Sequence, residues 1–309
     1  MDAGTRCIGG ETGGARRIVL GDAEYPAQLR SVPQPPAALW VRGALATEDA
    51  LAVAIVGSRH ATPYGLEMAE ALAADLAARG VTVVSGLARG IDSAAHRGAL
   101  GAGGRTIAVF GSGVDVIYPP ENRRLAASIV EHGAVMSQFE PGTPPLPQHF
   151  PERNRVIAAL SLGVVVVEAA ERSGSLITAG LAAELGREVM AVPGRATSEQ
   201  SAGAHRLIQD GAALVTGWRD VVAQLPTRWQ ACVREPAVLD DRGSERRAAG
   251  SPEAERVLAA LGEEPMGIDD VIELSGVGSA KAAAVLLELE LEGRVRQMDG
   301  KRFIQVRRG

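Results

Sequence analysis

Cysteine, aromatic residues and lysine are all scarce in this chain. Its 309 residues include two cysteines and 3% aromatics, and lysine occurs only at Lys281 and Lys301. Cys7 and Cys232 lie far apart without metal-type spacing, which argues against a disulfide framework or a zinc site and fits a reducing, cytoplasmic setting. So few rings exclude a long base-stacking platform. With no lysine before residue 281, the larger part of the chain has neither a P-loop lysine nor a Schiff-base nucleophile. The longest uncharged apolar run, 156–167, is too short to span a bilayer. The N-terminus has no basic segment followed by an apolar stretch, so no secretory signal is expected. Bulk positive charge is also missing. The net charge is −5, and any nucleic-acid site must come from local clustering.

What is present suffices for a packed core, with 46% hydrophobic against 22% charged residues. Residues 1–16 are glycine-rich and expected to be flexible. Tyr25-Pro26 and Pro33 to Pro36 mark an irregular, extended lead-in. Beyond it, strand-like runs at 51–56, 81–84, 106–110, 134–137, 164–168, 188–192 and 213–215 alternate with helix-like runs. The helices are expected at 64–79, 92–100, 122–132, 153–162 and 176–185. Repeated β-then-α order predicts an α/β fold, a doubly wound and mostly parallel sheet over residues 17–223. Residues 224–250 change to a polar, proline-containing composition and are expected to be a linker. Over 251–309 three helical segments precede a hairpin centred on Asp299-Gly300, the pattern of a winged helix-turn-helix.

Ligands of doubly wound sheets bind at the carboxyl ends of the strands, and four turns there are glycine-rich. They are Val56-Gly57-Ser58-Arg59, Ser85-Gly86-Leu87-Ala88-Arg89-Gly90, Gly111-Ser112-Gly113 and Ser173-Gly174-Ser175 ahead of Thr178. Such turns aim free backbone N–H groups and helix N-termini at an anion, and Arg59 and Arg89 add permanent charge. One or two such anchors serve a mononucleotide, whereas a row of them suits a polynucleotide strand. Plain strand–helix connectors use the same glycines. Phe150 precedes a helix carrying Arg153, Asn154 and Arg155, the minimal apparatus for stacking one base while gripping adjacent phosphates. The ring equally suits a hydrophobic staple under the loop. Asp92 and His96 sit four apart, a spacing compatible with an acid–base pair or with a helix cap and a packed histidine. Glu168, with Glu171 nearby, suits a ribose, a metal or a turn cap. No HExxH, DxD or GxSxG pattern supports hydrolase chemistry.

Together these motifs resemble the bacterial DNA-processing protein A family (DprA, also called Smf). Phe150-Pro151-Glu152-Arg153-Asn154-Arg155 and Ser173-Gly174-Ser175-Leu176-Ile177-Thr178 carry the likeness with the first two turns. Tyr25-Pro26, Tyr118-Pro119, Val192-Pro193-Gly194 and Leu207-Ile208 extend it over about residues 25–215. The resemblance implies an extended Rossmann-like domain that binds single-stranded DNA in a basic pocket. It further implies a homodimer that loads the recombinase RecA onto incoming DNA during natural transformation. By that likeness Arg59, Arg89 and Arg155 hold phosphates and Phe150 lies close to a base. The candidate nucleic-acid site comprises Gly57, Ser58, Arg59, Ser85, Gly86, Arg89, Gly90, Phe150, Arg153, Asn154, Arg155, Gly174, Ser175 and Thr178. No catalytic residue, cofactor, metal or membrane contact is expected.

The chain departs from the resembled pattern in two places. Many members of that family carry an extra helical domain at the N-terminus, which is not expected in the stretch before Tyr25. Where they commonly have asparagine after Gly203-Ala204, this chain has His205. The C-terminal helices are acidic at Glu263, Glu264, Asp269, Asp270, Glu288, Glu290 and Glu292, which opposes phosphate and favours a protein-contact or regulatory role. The basic hairpin keeps a wing-led DNA contact open. A nucleotide-processing enzyme of the phosphoribohydrolase type and a winged-helix regulator are the competing readings.

Overall fold

The computed structural model describes residues 14–234, 252–261, 265–291, 294–298 and 302–305. Two compact units divide between Glu235 and Pro236.

In the first unit the elements run β1 (Arg16–Val19), α1 (Ala27–Arg30), β2 (Ala38–Gly43), β3 (Ala52–Val56), α2 (Pro63–Ala78), β4 (Thr82–Ser85), α3 (Ile91–Gly101) and β5 (Thr106–Val109). They continue with α4 (Arg123–His132), β6 (Ala134–Ser137), α5 (His149–Leu160), β7 (Gly163–Val166), α6 (Gly174–Glu184) and β8 (Glu188–Ala191). α7 (Ala202–Gln209), β9 (Ala213–Leu214), α8 (Trp218–Gln224) and α9 (Thr227–Gln230) complete it.

Nine strands form one sheet in the order β1-β2-β6-β5-β4-β3-β7-β8-β9. From β6 to β9 all pairs are parallel, while β1 and β2 add an antiparallel edge. Central strands are buried on both faces, and their alternation sorts the core into two layers. Ala52, Ala54, Val56, Val164 and Val166 pack with α5 and α6 on one face. Val53, Ile55, Val83, Val165 and Met190 pack with α2 and α3 on the other. The chain leaves β3 in one direction through β4, β5 and β6, then returns to the opposite side of β3 as β7. That reversal is the topological switch point, and the crevice above the β3 and β7 ends is where such sheets bind ligands.

Two organisational expectations change. The lead-in expected to be irregular holds β1 and β2, which pair with each other and attach to β6. Its prolines flank strands on the sheet edge, where their missing N–H groups cost no ladder bond. Residues 224–234 of the expected linker pack on the first unit, and its remainder to residue 250 lies outside the described residues. Leu225 is buried and Trp229 and Val233 pack on the α2/α3 face, so apolar spacing outweighed polar composition. The expected flexible segment lies outside the described residues up to residue 13, and Arg16 belongs to β1.

In the second unit, α10 (Pro252–Ala260), β10 (Met266–Gly267), α11 (Ile268–Ser275), α12 (Ser279–Leu291), β11 (Val295–Met298) and β12 (Arg302–Gln305) form three helices and a small sheet of order β10-β12-β11. Val257, Val271, Val285, Leu286, Val295 and Phe303 make its core. This is the expected winged helix. The hairpin turn expected at Asp299-Gly300 lies outside the described residues.

Candidate nucleic-acid interface

An open groove of about 730 Å³ crosses the rim above the switch point. It is walled by the turns after β3 and β7, the start of α5 and the first turn of α6. Nine of the expected site residues line it: Gly57, Ser58, Arg59, Phe150, Arg153, Asn154, Gly174, Ser175 and Thr178.

Phe150 is the centre of its chemistry. The Arg59 guanidinium carbon lies 5.3 Å from the ring centroid and that of Arg153 lies 5.7 Å away, while Tyr118 tilts against it at 6.1 Å. Arg59 is exposed and makes no ion pair among the described residues. A cation resting on a ring is oriented without being neutralised, so its N–H donors stay available to an anion.

Arg153 has a different task. Only 4% exposed, it donates to Gly86 O at 2.5 Å and to Val109 O at 2.8 Å. Its Nε donates to Asn154 Oδ1 at 3.1 Å. Burial lowers this guanidinium to about 10, opposed by the Asp92 carboxylate, so it remains charged at neutral pH. It ties the ends of β4 and β5 to α5, a positioning role and not the surface contact expected from sequence.

The Ser85–Gly90 turn does bind an anion, and the anion is internal. Asp92 Oδ2 accepts from Gly86 N at 3.1 Å and from Ala88 N at 3.3 Å. Burial raises the Asp92 carboxyl, while Arg153 and these backbone donors pull it back down. Leu87 adopts a left-handed φ of +57°, and Gly90 one of +73°. A Cβ at Gly90 would run into the Ser58 carbonyl oxygen, and one at Gly86 into the Arg153 guanidinium. Ser85 is fully buried and donates to Ile55 O at 2.7 Å. Ser85, Gly86 and Gly90 therefore shape the rim and do not face the groove; in sequence, a turn filled by its own aspartate looks the same as one awaiting a phosphate.

Two further arginines do not line the main groove itself. Arg89 lines a small pocket that shares Arg59, Tyr118 and Phe150 with the groove, and its Nε donates to Glu121 Oε1. That hydrogen bond holds the Glu121 carboxyl below its usual range. Arg155 donates to Pro33 O at 2.7 Å and lines a separate cavity with Arg17, Glu140 and Glu152. The phosphate role that the resemblance implied for Arg155 does not fit this placement.

The groove includes residues the motifs did not single out. Arg172, exposed on the loop before α6, lines it without an ion pair among the described residues. Gln200 enters from the segment before α7, its Oε1 accepting from the Ser58 hydroxyl at 2.9 Å. Arg172 sits between motifs, and the only signal for it was its sequence proximity to Ser173-Gly174-Ser175. Ser173 caps α6, its Oγ accepting from Ser175 N at 3.3 Å, and the helix dipole adds positive potential beside Arg172.

The catalytic alternatives find structural uses. His96 and Asp92 do not bond to each other. His96 Nδ1 lies 2.7 Å from Thr106 Oγ1, whose own proton goes to Val83 O. The hydroxyl must therefore accept from Nδ1–H, which leaves Nε2 buried and unpartnered. Burial pushes this imidazole down to about 3. Glu168, 2% exposed, accepts from Thr62 N at 2.9 Å and Thr62 Oγ1 at 2.6 Å, anchoring the start of α2. His205, the departure from the resembled pattern, hydrogen-bonds the main chain of Gly194 through Nε2, 3.1 Å from Gly194 O.

Comparison with known proteins agrees with this architecture. The family described as DNA recombination-mediator protein A matches residues 16–226, and the DprA winged helix domain matches residues 244–301. Protein Smf of Escherichia coli strain K12 is 41% identical over 295 residues, covering 94% of this chain and 78% of the relative. DNA processing protein DprA of Streptococcus pneumoniae is 47% identical over 200 residues, 65% of this chain and 71% of the relative. The solved structure of DNA processing protein A from Streptococcus pneumoniae superposes with a TM-score of 0.64 at 46% identity, covering 68% of this chain and 74% of that one. That of Helicobacter pylori, described as revealing a single-stranded DNA binding mode, gives 0.58 at 32% identity over 63% of this chain and 90% of that one.

Proposed function

This chain belongs to the DNA recombination-mediator protein A family, and on that premise we propose that its switch-point groove binds single-stranded DNA without catalysing a reaction. The observation that carries the proposal is the pairing of unneutralised cations with one aromatic ring. Arg59 lies over Phe150, and Arg172 stands beside the start of α6 in the same open groove. One accessible ring accepts a base from any sequence, and the guanidinium groups meet the flanking phosphates. The Helicobacter pylori relative, described by its single-stranded DNA binding mode, supports the same ligand class.

Nucleotide-processing chemistry is disfavoured by the same geometry. Glu168 is consumed by Thr62, and Asp92 is enclosed by its own turn, so neither reaches a bound sugar. Among the described residues no group of three His, Cys, Asp or Glu is placed to hold a metal ion. No described helix is long and apolar enough to cross a membrane. The finer reading is that the protein acts in the cytoplasm as a homodimer, protects incoming DNA and loads RecA during natural transformation. That reading rests on the family resemblance alone.

Fluorescence anisotropy with labelled oligonucleotides, repeated over salt, tests the groove. Affinity should rise with strand length and exceed that for duplex. Arg59→Ala and Arg172→Ala should each flatten the logarithmic salt dependence by about 0.7, the contribution of one single-strand phosphate contact. A mononucleotide that competes as well as an oligomer would favour the enzyme reading. The RecA reading is tested by strand exchange with and without this protein, where no gain refutes it.

A further inference from the structure

A second cavity of about 740 Å³ adjoins the first along the same rim, above the ends of β3, β7 and β8. It is lined by Tyr64 from the first turn of α2 and by Arg195 from the loop after β8. Both cavities share neighbouring stretches of chain. The turn after β3 supplies Arg59 to one and Thr62 to the other, while the segment before α7 supplies Gln200 to the first and Ser201 to the second. The Ser58–Gln200 hydrogen bond ties these two stretches of chain together.

The contents of this cavity repeat those of the first. Tyr64 is 45% exposed, a large ring left facing solvent. Its hydroxyl donates to Pro193 O at 2.8 Å, which fixes the ring against the β8 loop. Arg195 is exposed and has no ion pair among the described residues. Glu168 is the one carboxylate among the described residues that line the cavity, and both its oxygens are taken by Thr62. Its charge is therefore turned inward to the start of α2. His205 secures the opposite wall through Gly194.

We propose that this cavity is a second nucleotide subsite on the same single strand, with Tyr64 as a stacking ring and Arg195 as its phosphate contact. The strand passes from Phe150 and Arg59, over Ser58 and Gln200, to Tyr64 and Arg195. This inference rests on the groove binding single-stranded DNA, and it adds that two spaced bases are gripped. It accounts for an exposed tyrosine fixed by Pro193 and for an arginine without an ion pair among the described residues.

The test uses oligothymidylates stepped from about 4 to about 16 nucleotides, the range of single-strand site sizes. Tyr64→Ala and Arg195→Ala should each weaken the longer strands on the order of tenfold and leave the shortest unchanged, since only the longer ones reach both subsites. Tyr64→Phe keeps the ring without the Pro193 hydrogen bond and should bind long strands as wild type does. An equal loss for short and long strands in Tyr64→Ala would overturn the proposal, as would no loss at any length. If Arg59→Ala weakens every length while Tyr64→Ala and Arg195→Ala change nothing, only the second subsite falls. If wild-type protein shows no affinity for any strand, both readings fall together.

Discussion

Replacing Arg153 with methionine distinguishes a residue that builds the groove from one that touches DNA. Methionine keeps much of the side-chain volume but removes the donors to Gly86 O and Val109 O, which lie at 2.5 and 2.8 Å. It also leaves the enclosed Asp92 carboxylate without its cationic neighbour. Hydrogen bonds from a charged donor contribute about 1.5–3 kcal/mol each, so the two together account for about 3–6 kcal/mol. Breaking a buried charge arrangement from one side costs about 3–5 kcal/mol, in the same range. At about 2–4 °C per kcal/mol for a domain of this size, Tm should fall on the order of 10 °C. Arg59→Ala should move Tm by no more than about 2 °C, because Arg59 is exposed and rests only on a ring. Circular dichroism melts of both variants measure this, with anisotropy below each transition. Arg153→Met should retain the wild-type salt dependence while folded, and Arg59→Ala should lose about 0.7 of it. An Arg153→Met protein that melts like wild type yet loses salt dependence would refute the assignment and place that guanidinium on a phosphate.

Further outcomes follow from the same geometry. Glu121→Gln frees Arg89 and should steepen the salt dependence of strand binding by about 0.7, while stability changes little because both partners are half exposed. Arg155→Ala should leave strand binding unchanged in the same anisotropy assay, since Arg155 lines another cavity. Gly90→Ala should lower stability by about 2–5 kcal/mol in urea unfolding, combining left-handed strain with the clash against Ser58 O. His96 titrates at about 3 when folded against an ordinary 6.5, so the unfolded chain binds the extra proton and stability is lost as pH falls through that window. Between about pH 7 and pH 4.5 this group should remove about 2–3 kcal/mol, and His96→Gln should show that much less acid sensitivity in paired urea titrations. Asp92, whose carboxyl burial raises, has the opposite sign and cancels in that comparison.

How much was legible in advance depended on whether a feature is local. Strand and helix order followed from residue periodicity, because alternation and 3.6-residue spacing are properties of contiguous segments. The antiparallel β1–β2 edge was missed, since the prolines between its strands read as irregular chain and their partner β6 lies far along the chain. α8 and α9 were partly absorbed into an expected linker, because polar composition hid the apolar positions Leu225, Trp229 and Val233.

For the site, sequence alone determined which residue types stand near the ends of the strands: glycines and arginines on turns the parallel sheet must bring to one rim, with Phe150 at the start of a helix. Tertiary structure alone decided what each of them faces. Arg59, Arg89, Arg153 and Arg155 look alike as letters, yet one lies over a ring in the open groove, one meets a glutamate, one is buried against two carbonyls and one lines another cavity. The same holds for the glycine-rich turn after β4, whose anion is supplied by Asp92. A side chain's charge is a covalent property, whereas its partner and its solvation are set by elements distant in the chain, and those decide whether the charge remains available to a ligand.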